Sequence, residues 1–149
     1  MYVWGILAEN MEKLKVRRPI SWGEMDAFGH LNNVHYFRYM EDARIAFMHK
    51  INFFCFNLQC IVVKNTCEYF SPVTYPDELI TETFVKHIGN TSFIMIYEIK
   101  SISKEALVAK GESVIVCVEP INFTKIELPT EIRKNLEGFY VDWEEVVEA

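Results

Sequence analysis

WGEMDAFGHLNNVHYFRYMEDAR, residues 22–44, joins an acidic, glycine-containing turn to the start of a long helix. Gly29 supplies a residue free to take positive φ, and Asn32 or Asn33 can cap the helix that follows. Apolar residues then recur at 34, 37, 40, 43, 47 and 51, with Ile45, Ala46 and Met48 widening the stripe. That period predicts an almost fully buried helix from Val34 to Ile51. His35, Arg38, Asp42 and His49 fall on a narrower polar face, and His49 with Lys50 suit the negative end of the helix dipole. Asp26 stands in the turn, where exposed amides of the first helical turn would face whatever it attacks or activates.

Outward from this stretch the pattern changes to strands. Leu14, Val16, Ile20 and Trp22 alternate, predicting a first strand that Pro19 restricts to an edge or irregular position. After a loop at 53–57, four more strands are expected at Ile61–Tyr69, Leu79–Ile88, Thr91–Ile102 and Leu107–Val118. Gly89-Asn90 joins the second of these to the third and Ser103-Lys104-Glu105 the third to the fourth, so consecutive antiparallel pairing is expected. Strands of this length span roughly 33 to 40 Å and the helix about 27 Å, so only a sheet curled around the helix can be covered by it. Val114–Val118 is apolar at successive positions, which requires both faces of that strand to be buried. Pro129–Leu136 reads as a short helix with Ile132 and Leu136 one turn apart and Gly138 as its stop. Either this segment or a second subunit would cover the remaining face.

Half of the 149 residues are apolar, enough for a single domain over 1–149 but not for two cores. A net charge of -6 without a long Lys/Arg run argues against a nucleic-acid partner. The cluster Lys13, Lys15, Arg17 and Arg18 reads as a solvated strand end. Cys55, Cys60, Cys67 and Cys117 show neither zinc-site spacing nor the density of a disulfide scaffold, and are read as reduced thiols. Met1–Ala8 is apolar, but no basic residues precede it and Glu9 cuts it short of a signal or membrane segment. The cytoplasm is the expected location, with no membrane partner.

Several side chains in the opening stretch can carry chemistry. Asp26 can serve as a nucleophile or general base, or simply cap its turn; Trp22 and Phe28 are placed to shield it from water. His30 can donate a hydrogen bond, shuttle a proton or hold the turn. Asn32 is the more natural cap, and Asn33 beside it can reach a substrate. Tyr36, one turn into the helix, can line a pocket or pack in the core. Glu41 is a second carboxylate, with Arg38 and Arg44 at helical spacing to pair with it. Asp26, His30, His35 and Glu41 lack any recognised ligand spacing, so no metal is expected.

The stretch also resembles the signature of hotdog-fold acyl-CoA thioesterases of the hydroxybenzoyl-CoA thioesterase, YbgC and FadM type. That pattern is an Asp turn, then Gly-His-Val-Asn-Asn, then an aromatic-rich helix ending Glu-x-Ala-Arg. The matching residues are Asp26, Gly29, His30, Asn32, Asn33, Tyr36, Phe37, Tyr39, Glu41, Ala43 and Arg44. Leu31 stands where the family usually has Val, and Asn33 where YbgC-type members carry a His near the reaction centre. Tyr69–Val73, Tyr75–Leu79 and Lys110–Glu112 extend the likeness over roughly residues 15 to 135.

The resemblance implies an α+β hotdog fold, a curved antiparallel β-sheet wrapped around one long central α-helix, assembled as a homodimer or homotetramer with active sites between subunits. It implies hydrolysis of an acyl-CoA to a free carboxylic acid and CoA, with Asp26 as nucleophile or general base and a helix N-terminal amide as oxyanion donor. Gly29, His30, Asn32, Asn33, Tyr36 and Glu41 would support the reaction or bind substrate. No cofactor is implied, CoA being part of the substrate. The alternatives are an acyl-carrier-protein thioesterase, an enoyl-thioester hydratase using Asp26 with His30, and a non-catalytic acyl-CoA-binding domain.

Overall fold

Helix α1 spans Asn33–Lys50 and begins where its cap allows: the Asn32 side-chain oxygen accepts from the Val34 amide at 3.2 Å. Its last turn carries His49 and Lys50. In this computed structural model, which describes residues 13–141, the strands are β1 (Leu14–Pro19), β2 (Gln59–Tyr69), β3 (Glu78–Ile88), β4 (Ser92–Ser101) and β5 (Ala106–Val118). A second helix, α2, follows at Thr130–Glu137, and short 3-10 turns occur at Trp22–Glu24 and Phe53–Cys55. The reading of Met1–Ala8 and Glu9 lies outside the described residues.

All five strands form one curved antiparallel sheet in the order β1-β3-β4-β5-β2. β3, β4 and β5 follow one another as consecutive hairpins. The Gly89 amide donates to the Ser92 carbonyl at 2.7 Å in the first turn, and Glu105 takes a positive φ of 53° in the second. Consecutive pairing fails at β2, which lies not beside β3 but along the far side of β5, from Gln59↔Val118 to Tyr69↔Ala109. The connection at 70–77 carries the chain across the sheet instead of turning it back, and β1 takes the free edge of β3. Pro19, which lacks the amide an interior strand needs, ends that edge strand.

Tyr36, Tyr39, Met40, Ala43, Phe47 and Met48 of α1 are buried in the main core. Gly111 of β5 sets how closely the helix approaches: a Cβ there would lie 2.6 Å from the Met40 sulfur and 3.0 Å from the Thr66 carbonyl oxygen. Burial of α1 is one-sided, because Val34 and Ile45 face outward within the single chain.

The C-terminal segment serves both faces of the sheet. Ile132 and Leu136 join the core that contains Ile115 and Cys117, and Phe139 stands edge-on to Phe47 at 5.0 Å. Arg133 and Asn135 pin α2 in place through the carbonyls of Gly89 and Ile51, at 2.8 and 3.0 Å. Val141 then packs with Phe84 and Ile96 in a second cluster, and Phe84 points opposite to its core-facing neighbour Val85.

Candidate active site

The turn before α1 is built on its own aspartate. Asp26 Oδ1 accepts from the Phe28 amide at 2.9 Å and the His30 amide at 3.2 Å. The main chain of Asp26 reciprocates: its amide donates to the His30 carbonyl at 2.7 Å, and its carbonyl accepts from Gly29 at 3.0 Å. Gly29 has φ 79°, a conformation that costs it little and most residues much more. Two further bonds lash the turn to its surroundings, Leu31 N–H to the Val73 carbonyl at 2.8 Å and Asn32 N–H to the Glu24 carbonyl at 3.0 Å. The capping and chemical readings of Asp26 are therefore compatible, since one oxygen organises the turn.

Asp26, His30, Asn33 and Tyr36 line a cleft of about 340 Å³, closed on its other side by Tyr69, Phe70, Ser71 and Pro72 from the end of β2. Tyr36 is buried and meets the Tyr69 ring edge-on at 4.9 Å. The Tyr69 hydroxyl donates to the Asn33 carbonyl at 3.0 Å. Burial pushes both phenols up to about 12, so this wall stays neutral through the ordinary pH range. Burial likewise pushes the neighbouring Cys67 thiol up to about 11. Trp22 and Phe28 do not shield the carboxylate, being 75% and 84% exposed. Asn32 spends its side-chain oxygen on the helix cap.

Glu41 opens onto a different cleft. This larger space of about 520 Å³ is lined by Arg18, Glu24, His35, Arg38, Glu41, Arg44 and Asn65 among others. Both of its carboxylates are already engaged. Glu41 is exposed and pairs with Arg38 Nε at 3.2 Å. Glu24, only 9% exposed, accepts from the Tyr39 hydroxyl at 2.6 Å and the Ser21 amide at 2.9 Å, with Arg18 at 3.6 Å. Burial alone would raise the Glu24 pKa, but the Tyr39 and Ser21 hydrogen bonds and the charges of Arg18 and His35 outweigh it and hold it low. Arg44, also 9% exposed, donates to the Tyr97 hydroxyl at 3.1 Å and to Ser113 Oγ at 3.4 Å.

Sequence reasoning had not placed Glu24, Arg44 or the Tyr69–Pro72 wall in either cleft. An aromatic strand end followed by Pro72 was the visible signal for that wall. Among the described residues, no group of three or more His, Cys, Asp or Glu side chains could hold a metal ion. No described helix is long and apolar enough to cross a membrane.

The curved five-stranded antiparallel sheet matches the fold of hotdog thioesterases. The model of the thioesterase-like superfamily matches residues 20–136, and the chain belongs to that superfamily. It is 32% identical over 80 residues to the uncharacterized protein YsmA of Bacillus subtilis, a match covering 52% of this chain and 54% of that protein. The chain thus spans about half the length of this relative. A solved Pseudomonas aeruginosa protein superposes with a TM-score of 0.75 at 25% identity, covering 84% of this chain and 91% of the other. The DHNA-CoA thioesterase of Staphylococcus aureus superposes with a TM-score of 0.74 at 18% identity, covering 91% of each chain, which is a likeness of fold.

Proposed function

We propose that the chain hydrolyses an acyl-CoA thioester to a carboxylic acid and CoA in the cleft that holds Asp26. The observation carrying this reading is the Asp26 carboxylate itself, fixed by the Phe28 and His30 amides at the wall of a cleft beside the first turn of α1. A thioester is already an activated acyl donor, so the reaction requires neither metal nor organic cofactor.

Asp26 either attacks the carbonyl, forming an acyl anhydride that water opens, or takes a proton from the water that attacks. In both routes CoA departs as a thiolate and is then protonated. The Asn33 amide, first in α1, is the donor we assign to the developing oxyanion; one such donor is worth roughly 100 to 1000-fold in rate. His30 and Asn33 line the same cleft and would orient the thioester or the water. The neutral Tyr36 and Tyr69 rings offer an apolar surface to the acyl group. Glu41, paired with Arg38 in the other cleft, has no part in this scheme.

A homodimer or homotetramer belongs to the same reading, in the cytoplasm. β2 is an edge strand of 11 residues with Ile61 and Val63 exposed, and Val34 and Ile45 are exposed on α1. Unpaired edges and apolar surface of this kind are normally covered.

The test is thiol release from a panel of short, long and aromatic acyl-CoAs and an acyl-carrier protein. At least one acyl-CoA should be cleaved. Cleavage of the carrier-bound substrate alone would replace CoA in the proposal. Loss of enoyl absorbance without thiol release would indicate a hydratase, and acyl-CoA binding without any turnover a non-catalytic domain.

A further inference from the structure

Two thiols face each other across neighbouring strands, away from the Asp26 cleft. Cys60 of β2 is the register partner of Cys117 of β5. The Cys117 amide donates to the Thr91 carbonyl at 2.8 Å, and the Cys117 carbonyl accepts from the Ile126 amide at 3.0 Å. Both main-chain groups of Cys117 therefore point away from β2. This makes Cys60–Cys117 a non-hydrogen-bonded pair, the closer of the two antiparallel pair types, with Cα atoms typically about 4.5 Å apart. A disulfide requires roughly 4.4 to 6.8 Å.

Side-chain direction agrees with this pairing. Register partners share a face of the sheet, and both side chains pack into the core beneath α1. Within the single chain Cys117 is buried, whereas Cys60 on the edge strand is partly exposed. Burial pushes the Cys60 thiol up to about 11, with the Arg44 guanidinium pulling the other way. The remaining cysteines lack this arrangement: Cys67 is paired in register with Gly111, and Cys55 lies in the 3-10 turn before β2.

We propose that Cys60 and Cys117 are a reversible disulfide-forming pair, a covalent clasp between edge strand β2 and β5 that is closed by small-molecule disulfides such as glutathione disulfide. The Cys60 thiolate attacks one sulfur of glutathione disulfide and expels one glutathione thiolate, leaving a mixed disulfide on Cys60. Cys117 gives up its proton, attacks the Cys60 sulfur and expels the second glutathione. Two protein thiols are oxidised and one glutathione disulfide is reduced to two glutathiones. The clasp is independent of thioester hydrolysis.

The experiment equilibrates the native protein in glutathione buffers of increasing disulfide fraction, approaching equilibrium both from the folded reduced protein and by refolding from denaturant in the same buffers. Remaining thiols are then alkylated under denaturing conditions. All four cysteines should alkylate at the reducing end and two at the oxidising end, with Cys60 and Cys117 recovered in one linked peptide. Cys60→Ser and Cys117→Ser should each abolish that link. Four free or merely glutathionylated cysteines throughout the series from both directions, or a link involving Cys55 or Cys67, would overturn the proposal. Refolding removes slow access to buried Cys117 as an explanation for a missing link.

Discussion

Replacing Tyr39 by Phe deletes a single oxygen from the core and leaves the buried Glu24 carboxylate short of a donor. The Tyr39 hydroxyl bonds Glu24 Oε1 at 2.6 Å, while Glu24 also holds the Ser21 amide at 2.9 Å and lies 3.6 Å from Arg18. A hydrogen bond to a charged group contributes about 1.5 to 3 kcal/mol. The ring itself remains, with the Arg18 guanidinium 4.6 Å from its centre, so packing is kept. The expected loss is about 2 kcal/mol, below the roughly 3 to 5 of removing a core aromatic altogether. For a chain of this size that lowers Tm by about 4 to 8 °C.

The effect should also depend on pH. The folded Glu24 pKa lies below its ordinary value of 4.5. Its contribution is therefore fully present above that value and is lost as pH falls through the lower folded one. Urea denaturation of native and Tyr39→Phe proteins should show a difference at about pH 7 that shrinks at about pH 3. Equal melting within about 1 °C, or a gap that widens toward acid, would refute the role given to this bond.

Three further substitutions probe the frame around the site. Asn32→Ala removes the oxygen that caps α1 and should cost about 1 kcal/mol, read as a fall in Tm of about 2 to 4 °C. Glu41→Gln breaks only an exposed ion pair and should leave thioester turnover within about twofold; a large loss would shift attention to the wider cleft. Gly111→Ala forces a Cβ to within 2.6 Å of the Met40 sulfur and should destabilise by about 1 to 3 kcal/mol, with Met40→Ala in the same chain giving a sub-additive loss in denaturant melts.

Local signals were legible because their causes are local. The cap at Asn32, the positive-φ glycine in the turn and the Gly89-Asn90 hairpin all act within a few residues, whereas the near-complete burial expected of α1 fails at exposed Val34 and Ile45. The partner of β2 was not legible: its alternating pattern names a buried face but not a neighbouring strand, and the neighbour is β5 rather than the next strand in the chain. Arg44 reads as a partner for Glu41 at helical spacing, yet its hydrogen-bond partners Tyr97 and Ser113 lie 53 and 69 residues away. Glu24 and Tyr39 are separated by 15 residues and a change of element, which no periodic pattern spans. At the site, the turn and the helix wall could be read from one stretch, while Tyr69 to Pro72 arrive from the end of edge strand β2.

In the proposed reaction the Asp26 carboxylate does chemistry beyond holding its turn. Asparagine keeps an acceptor for the Phe28 and His30 amides but cannot attack a thioester or take a proton from water. The decisive measurement is kcat for thiol release by Asp26→Asn against the native protein, with thermal melts of both. A fall of at least about 1000-fold with Tm nearly unchanged is expected, whereas a folded variant within about tenfold of native kcat would remove Asp26 from the chemistry.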